Sequence, residues 1–520
     1  MTAMAQQPEA EGGGVAGPSP AVSPPSASSR SVKVIALSLG NALAMVGGIV
    51  FAMVAARYLT KSEYATFRQT FLAYEFVTPL LLLGIPNALY YLLPRSGEDR
   101  KGTVIDAIAL LTGAGVVFSL FLLLGGAGLL ARQFDNPDLA RTLPWLAVYP
   151  LFMLPVAAIS TILVFAERVK TLALYNTLVS LATAAASIAA VMVTHAPDLP
   201  ILARIGVAGL AMPVGLALMF RYFEGRYRRP DTGAMKGMLR YSLPLGLAFM
   251  LGTLTLQLHA MIVASLCTPD QFAIYINGAV EIPVISIVVG SITTVLFAEM
   301  SNACARGDKA GALDLFRSAA VQSACILFPT MVYFALAAEP FITLLYSEEY
   351  RASVTPFLIY LAVLPPRIVV YGAALMALGM SREVLVRSVF DLLINAVLCY
   401  LFVSWIGYNG AALGLVATLF LWTVPYNLHK IAQGYEVPWH RLLPWRELVR
   451  VMAISLAAGP FAWAALRLTL HQPHALQLIV SAAAFGIPFL FVLVRLGHVL
   501  LPPQILPFLR RVPGLMPKPQ

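Results

Sequence analysis

Residues 56–71 read ARYLTKSEYATFRQTF, and residues 264–279 read ASLCTPDQFAIYINGA. The second phrase follows the first by 208 positions, with Ala56 against Ala264, Thr60 against Thr268 and Ala65 against Ala273. Three identities in an alanine-rich chain carry little weight; the matching roles carry more. Thr60-Lys-Ser-Glu63 and Thr268-Pro-Asp-Gln271 are both capping boxes, in which the threonine hydroxyl accepts from the N3 amide and the N3 side chain returns to the threonine N–H. Pro269 takes the first helical position, where a missing N–H costs nothing. Leu59 with Tyr64, and Cys267 with Phe272, stand at the two ends of a hydrophobic staple. Phe67 and Tyr275 each add an aromatic ring further along the helix. A fainter echo pairs Pro144-Trp-Leu146 with Pro356-Phe-Leu358 at an offset of 212. The plain reading is two unrelated well-capped helices; the stronger one is a chain written twice.

The surroundings decide what kind of chain this is. With 59% hydrophobic and 12% charged residues and a mean hydropathy of +0.79, it is far more apolar than a soluble domain. A window of about 20 residues, the length that crosses a hydrocarbon core, finds fourteen segments. They lie near 34–56, 71–93, 104–131, 144–166, 171–193, 203–222, 241–266, 272–298, 318–338, 353–378, 384–406, 410–429, 447–468 and 475–500. The sequence therefore predicts an all-α polytopic membrane protein of about fourteen transmembrane helices. Both quoted phrases fall between spans, six spans apart. Because six is even, the two six-helix repeats run parallel about an axis along the membrane normal, and two C-terminal helices lie outside them.

The expected organisation is a disordered tail at 1–33, a first bundle at 34–222, a basic linker at 223–240, a second bundle at 241–429, two added spans within 430–500 and a tail at 501–520. The Pro/Ala/Gly/Ser-rich start has no apolar run and lacks the parts of a signal peptide. Twenty-six lysines and arginines fall in one alternating set of segments, against eight in the other: Arg57, Lys61, Arg68, Arg132, Arg141, Arg204, Arg351 and Arg467. Positive segments stay inside, so both termini are expected in the cytoplasm. The net charge of +10 is spread over helix ends rather than gathered on one face, which argues against nucleic acid. Cys267, Cys304, Cys325 and Cys399 have no metal-ligand spacing, so neither a metal nor a cofactor is expected. The chain has no nucleotide-binding loop of the G-x-x-x-x-G-K-[ST] kind and no connection long enough for an inserted catalytic domain. It is read as a non-enzyme; a membrane polysaccharide polymerase or ligase would call for a sizeable outer loop.

The apolar helix followed by A-R-Y-L-T-K-S-E-Y-A-T-F, and then G-I-P-N-A-L-Y-Y-L-L-P-R at 84–95, resembles the polysaccharide-flippase branch of the superfamily that also holds multidrug and toxin extrusion proteins and the lipid II flippase. The motif covers about sixty residues, and the helix count and duplication extend the likeness over nearly the whole chain. The resemblance implies two six-helix bundles around a central cavity, alternating access, and a bacterial inner membrane. It also implies a polyprenyl-pyrophosphate-linked oligosaccharide as cargo, for exopolysaccharide, capsule or O-antigen assembly beside polymerase and glycosyltransferase partners. The alternative on the same scaffold is a cation-coupled exporter of drug-like amphiphiles.

A pyrophosphate needs cations inside an apolar enclosure, and guanidinium binds phosphate oxygens in pairs. Arg367 is the sharpest candidate. It lies near mid-span directly after Pro365-Pro366, whose missing N–H groups break the helix; pairing with a buried acid or capping freed carbonyls explains it equally well. Arg68 stands at the entry end of the second span. Gln257 and His259 lie in the outer half of the seventh, where relatives often carry an acid, though a lone histidine near a helix end is more often an interface hydrogen-bonder. Asn87 and Asn277, with Asn41, Asn176 and Gln322, are candidates for sugar contacts or helix–helix glue. Glu75 and Glu281, at similar mid-membrane depth, are candidate coupling sites or counter-charges for Arg367. Asp391 has a local i,i+4 partner in Arg387.

Overall fold

In the computed structural model, the described residues are 27–223 and 227–495. Most of the expected tails, at 1–26 and 501–520, and the end of the last span lie outside them. Every regular element among the described residues is helical. All fourteen segments expected from hydropathy are helical over most of their length, and the first helix, Ala27–Tyr58, starts earlier than expected. By length and composition nine helices among the described residues can cross a membrane, or ten if one bent pair counts as one, and shorter apolar stretches, Ala42–Tyr58 and Met250–Leu266, end the longer helices Ala27–Tyr58 and Thr232–Leu266. Large apolar side chains such as Leu124, Val193, Leu210, Trp405 and Leu421 stay exposed on the outside of the bundle, as a lipid-facing surface requires.

The duplication is visible in the caps. Thr60 and Thr268 each accept from the N3 amide at 3.3 Å, and Glu63 and Gln271 each accept from the threonine N–H. The cap backbones agree within a few degrees, at φ −63°, ψ 161° and φ −65°, ψ 157°. The breaks repeat as well. The second segment divides into Lys61–Leu81 and Ile85–Arg95, and the eighth into Pro269–Gly278 and Pro283–Ala305. The fourth divides into Leu139–Leu146, Tyr149–Met153 and Ile159–Phe165. The tenth, its mate, bends by 46° between Glu348–Leu361 and Pro365–Ala377. Two prolines in a row remove two helix donors there.

The two repeats meet at both ends of the bundle. On the face that carries the capping boxes, the Tyr64 hydroxyl donates to Asn277 Oδ1 at 2.8 Å. Tyr64 and Tyr350 rings pack edge to face, and Arg57 donates to the carbonyls of Leu344 and Leu345. On the opposite, basic face, Gly84 presses against the Ser242 carbonyl and Gly246, and Tyr91 stacks on Tyr241 with centroids 4.5 Å apart. The C-terminal helices Trp445–Leu468 and His474–Arg495 pack on Lys309–Leu336, where the Tyr333 hydroxyl reaches the Leu478 carbonyl at 2.9 Å.

The connection between the repeats is tied down. Arg228 donates to both oxygens of Asp99 at 3.0–3.2 Å and to both of Asp106 at 2.6–3.0 Å, and the Asp231 N–H adds a bond to Asp106 at 2.9 Å. Asp231 in turn caps the helix Thr232–Leu266, which takes up part of the segment expected as linker. Hydrogen bonds to Asp106 and then Asp99 raise the pKa of the Arg228 guanidinium above its ordinary value. Asp106 is almost wholly buried, so replacing it strands a network rather than a surface pair. Asp106→Ala is expected to cost about 1–3 kcal/mol, read as a lower unfolding temperature of the detergent-solubilised protein, whereas Asp99→Ala, at the exposed end of the same cluster, is expected to cost under about 1 kcal/mol.

Candidate functional site: a cavity closed around Arg204

A large cavity, about 650 Å³, opens between the helices of the first repeat and Thr232–Leu266 of the second. Its walls come from Ala44 of the first helix, Tyr74, Glu75 and Thr78 of Lys61–Leu81, Tyr149 and Met153 of the broken fourth segment, Tyr175, Asn176 and Ser180 of Val169–Thr194, Arg204 of Asp198–Arg221, and Thr253 and Gln257. A second cavity of about 310 Å³ shares Tyr149, Ser180 and Arg204 with it. Arg204 therefore sits at the junction of the two.

How the sequence places that guanidinium is local. Pro197-Asp-Leu-Pro200 starts the helix at Asp198, with the two prolines where missing donors are harmless and the acid at the positive end of the helix dipole. Arg141 fixes this end by donating to Asp198 at 2.9 Å. Arg204 then lies six residues in, about 9 Å along the axis. Its guanidinium carbon lies 4.0 Å from the Phe71 ring centroid and 5.9 Å from that of Tyr149, and Nη2 is 3.5 Å from Glu75 Oε1. Tyr149 is held edge to face by Phe71 and Tyr74. The arrangement is a cation between aromatic walls, with neutral hydrogen-bonding groups on the remaining side.

Sequence reasoning misses Arg204: with the span expected from 203, it falls at the extreme end and counts with the outer cations, whereas the helix starts at Asp198. The signal is the proline-acid-proline start at 197–200. Glu75, expected as a counter-charge for Arg367, instead faces Arg204. Hydropathy gives depth but not which helices adjoin. Arg367 does have a carboxylate partner, Glu281, which stands where the eighth segment unwinds between Gly278 and Pro283. This pair lies in the second repeat and borders neither cavity around Arg204.

The other candidates separate cleanly. Gln257 lines the large cavity, as does Asn176. His259 is buried and shares a 2.8 Å hydrogen bond with the Tyr275 hydroxyl, which makes it a joint between helices of the second repeat. Asn277 belongs to the closure with Tyr64. Arg68 is half-buried on the capping-box side, makes no ion pair among the described residues, and borders neither cavity. Asn87 is half-buried in Ile85–Arg95, away from both. Asp391 pairs with Arg387 at 3.4 Å and accepts from Thr423 at 2.7 Å, a local arrangement. A further cavity of about 350 Å³ beside the double proline is almost entirely apolar, with Phe328, Pro365, Pro366, Phe420, Trp445 and Met452 in its walls.

Comparison with solved structures bears out the fold. The chain resembles a lipid II flippase MurJ in an inward closed conformation, with a TM-score of 0.70 over 88% of this chain and 99% of that one at 15% identity. It also resembles an inward-facing multidrug resistance MATE family transporter of the MOP superfamily (TM-score 0.53, 15% identity, 78% and 99% covered). A MOP superfamily transporter from Pyrococcus furiosus, described as having reversed binding-pocket polarity, matches similarly (0.51, 14%, 77% and 96%). At such identities the likeness is one of fold: an all-helical, multi-pass membrane architecture like that of these proteins. The sequence itself matches the family of polysaccharide biosynthesis proteins over residues 54–355, and the chain belongs to that family. No curated protein matches it.

Proposed function

We propose that this chain is a flippase that moves a polyprenyl-pyrophosphate-linked oligosaccharide across the bacterial cytoplasmic membrane by alternating access, for surface polysaccharide assembly. The observation that carries the reading is Arg204: one guanidinium, framed by Phe71 and Tyr149 and paired with Glu75, in a cavity whose other walls are neutral polar and apolar groups. Guanidinium suits phosphate oxygens, and Asn176, Ser180, Thr253 and Gln257 suit sugar hydroxyls. The apolar cavity beside Pro365-Pro366 suits a prenyl chain. In this reading Arg367 is a second phosphate contact whose counter-charge is Glu281. Arg68, Asn87, Asn277 and His259 support the bundle. The cargo is carried without chemical change, the basic face and both termini lie in the cytoplasm, and the polymerase and glycosyltransferases of the pathway act on either side of the step.

The second reading, a cation-coupled exporter of amphiphilic drugs, draws on Glu75 among the tyrosines Tyr74, Tyr149 and Tyr175, which would also attract a cation. Deleting the gene and restoring the full chain separates them. The flippase predicts loss of surface polysaccharide with lipid-linked oligosaccharide accumulating in the deletion, both reversed by the wild type. Unchanged polysaccharide with raised sensitivity to cationic amphiphiles would establish the exporter instead.

A further inference from the structure

The lining of the large cavity holds two formal charges among the described residues, Glu75 and Arg204, and they cancel. A pyrophosphate diester keeps a negative charge on each phosphate. Loaded into this cavity, it would leave the complex with uncompensated charge inside an apolar bundle, the costly arrangement that membrane proteins avoid. Nor can Arg204 serve two anions in full. Phe71 covers one face of the guanidinium and Glu75 stands at Nη2, so a phosphate that takes the fork in pairs must displace the carboxylate or lie against it. Two anions side by side favour protonation of the weaker acid. That acid is Glu75, since the pyrophosphate diester is much the stronger.

We propose, on the reading given above, that cargo and a proton load together: phosphate takes Arg204 and Glu75 takes up one proton. The balance is simple. A hydronium ion from the cavity water gives its proton to a Glu75 carboxylate oxygen, leaving a neutral carboxyl that donates a hydrogen bond to the cargo or to a neighbouring hydroxyl; no covalent bond of the cargo changes. The groups facing Glu75 leave it as the proton acceptor. Arg204 comes from Asp198–Arg221, Tyr149 from the fourth segment, Tyr175 from Val169–Thr194 and Tyr74 from its own helix, and Thr253 and Gln257 from Thr232–Leu266 are neutral. No histidine, lysine or second carboxylate lines this cavity among the described residues. The second repeat writes the device again, with Glu281 on Arg367, 206 positions after Glu75.

The test is calorimetric binding of farnesyl-pyrophosphoryl-glucose, a diester that holds its charge across the range, to the purified full chain in lipid nanodiscs. It is run between about pH 6 and 8 in two buffers of different ionisation enthalpy. Wild type is expected to take up close to one proton per ligand and to bind about tenfold more weakly for each pH unit of rise. Glu75→Gln is expected to bind without proton uptake or pH slope, and more tightly than wild type at the alkaline end. Glu75→Asp is expected to restore the slope. Binding by wild type with no proton uptake, or uptake undiminished in Glu75→Gln, overturns the proposal and leaves the flippase reading standing. Absence of binding by wild type at every pH, with tetraphenylphosphonium bound instead, overturns both.

Discussion

Gly84→Val is expected to abolish export while the protein still reaches the membrane, because residue 84 is where the repeats touch on the basic face. Gly84 has φ +69°, a left-handed conformation that follows Leu83, itself at φ +53°. The pair breaks the second segment between Leu81 and Ile85. An added Cβ would lie 2.4 Å from the Ser242 carbonyl oxygen and 2.7 Å from the Gly246 Cα, both backbone atoms. The left-handed conformation costs a side-chain-bearing residue about 1–2 kcal/mol, and overpacking adds about 1–3 kcal/mol. The overpacking penalty depends on the contact across the repeats and so falls on the shut state. A transporter's alternative states differ by a few kcal/mol, so about 1–3 kcal/mol against the shut state lowers its population by roughly 5- to 150-fold. A cysteine placed at Thr78 or Gln257, in the cavity wall, should be labelled far faster by a soluble maleimide applied from the basic face in the Gly84→Val background. Gly246→Ala, whose own Cβ would meet Gly84 Cα at 2.6 Å, should show the same change. Normal export with unchanged labelling would mean that this contact is not part of the gate.

The residues that could be read in advance are those whose behaviour is local. A capping box is complete within four positions, so Thr60 and Thr268 could be matched before any helix was placed. The break at Pro365-Pro366 needs only missing N–H groups. The partner of Glu75 was beyond such reading: its depth followed from its distance to Thr60, but its neighbour is set by how Lys61–Leu81 packs on Asp198–Arg221, contacts far apart in sequence. Tyr149 was hidden for a related reason. It starts a five-residue helix, Tyr149–Met153, in a segment broken twice, where a 3.6-residue period has no length in which to show. Arg204 fell on the wrong side of a boundary, because hydropathy locates the apolar centre of a span and not its first turn.

Arg204→Ala is expected to be the most damaging single replacement for transport, and its interpretation depends on Glu75. Truncation removes the guanidinium from its place against Phe71 and leaves a carboxylate in the cavity without its cation. Breaking a fully buried pair this way costs about 3–5 kcal/mol. Glu75 is 38% exposed in its side chain, so solvent in the cavity reduces the loss to about 1–2 kcal/mol, visible as a modest fall in membrane abundance. The loss in export is larger. Two charge-assisted hydrogen bonds to a phosphate are worth about 3–6 kcal/mol together, or at least about a hundredfold in transport at limiting cargo. The double variant Arg204→Ala with Glu75→Gln separates the two effects: abundance should return to the wild-type level and export should not. Arg367→Ala is expected to reduce export less, because Arg367 and Glu281 border neither of the cavities that meet at Arg204. If the order reverses, with Arg204→Ala exporting well and Arg367→Ala failing to export at normal abundance, the phosphate is held in the second repeat. Glu75 and Arg204 would then be a structural pair that keeps the first repeat together.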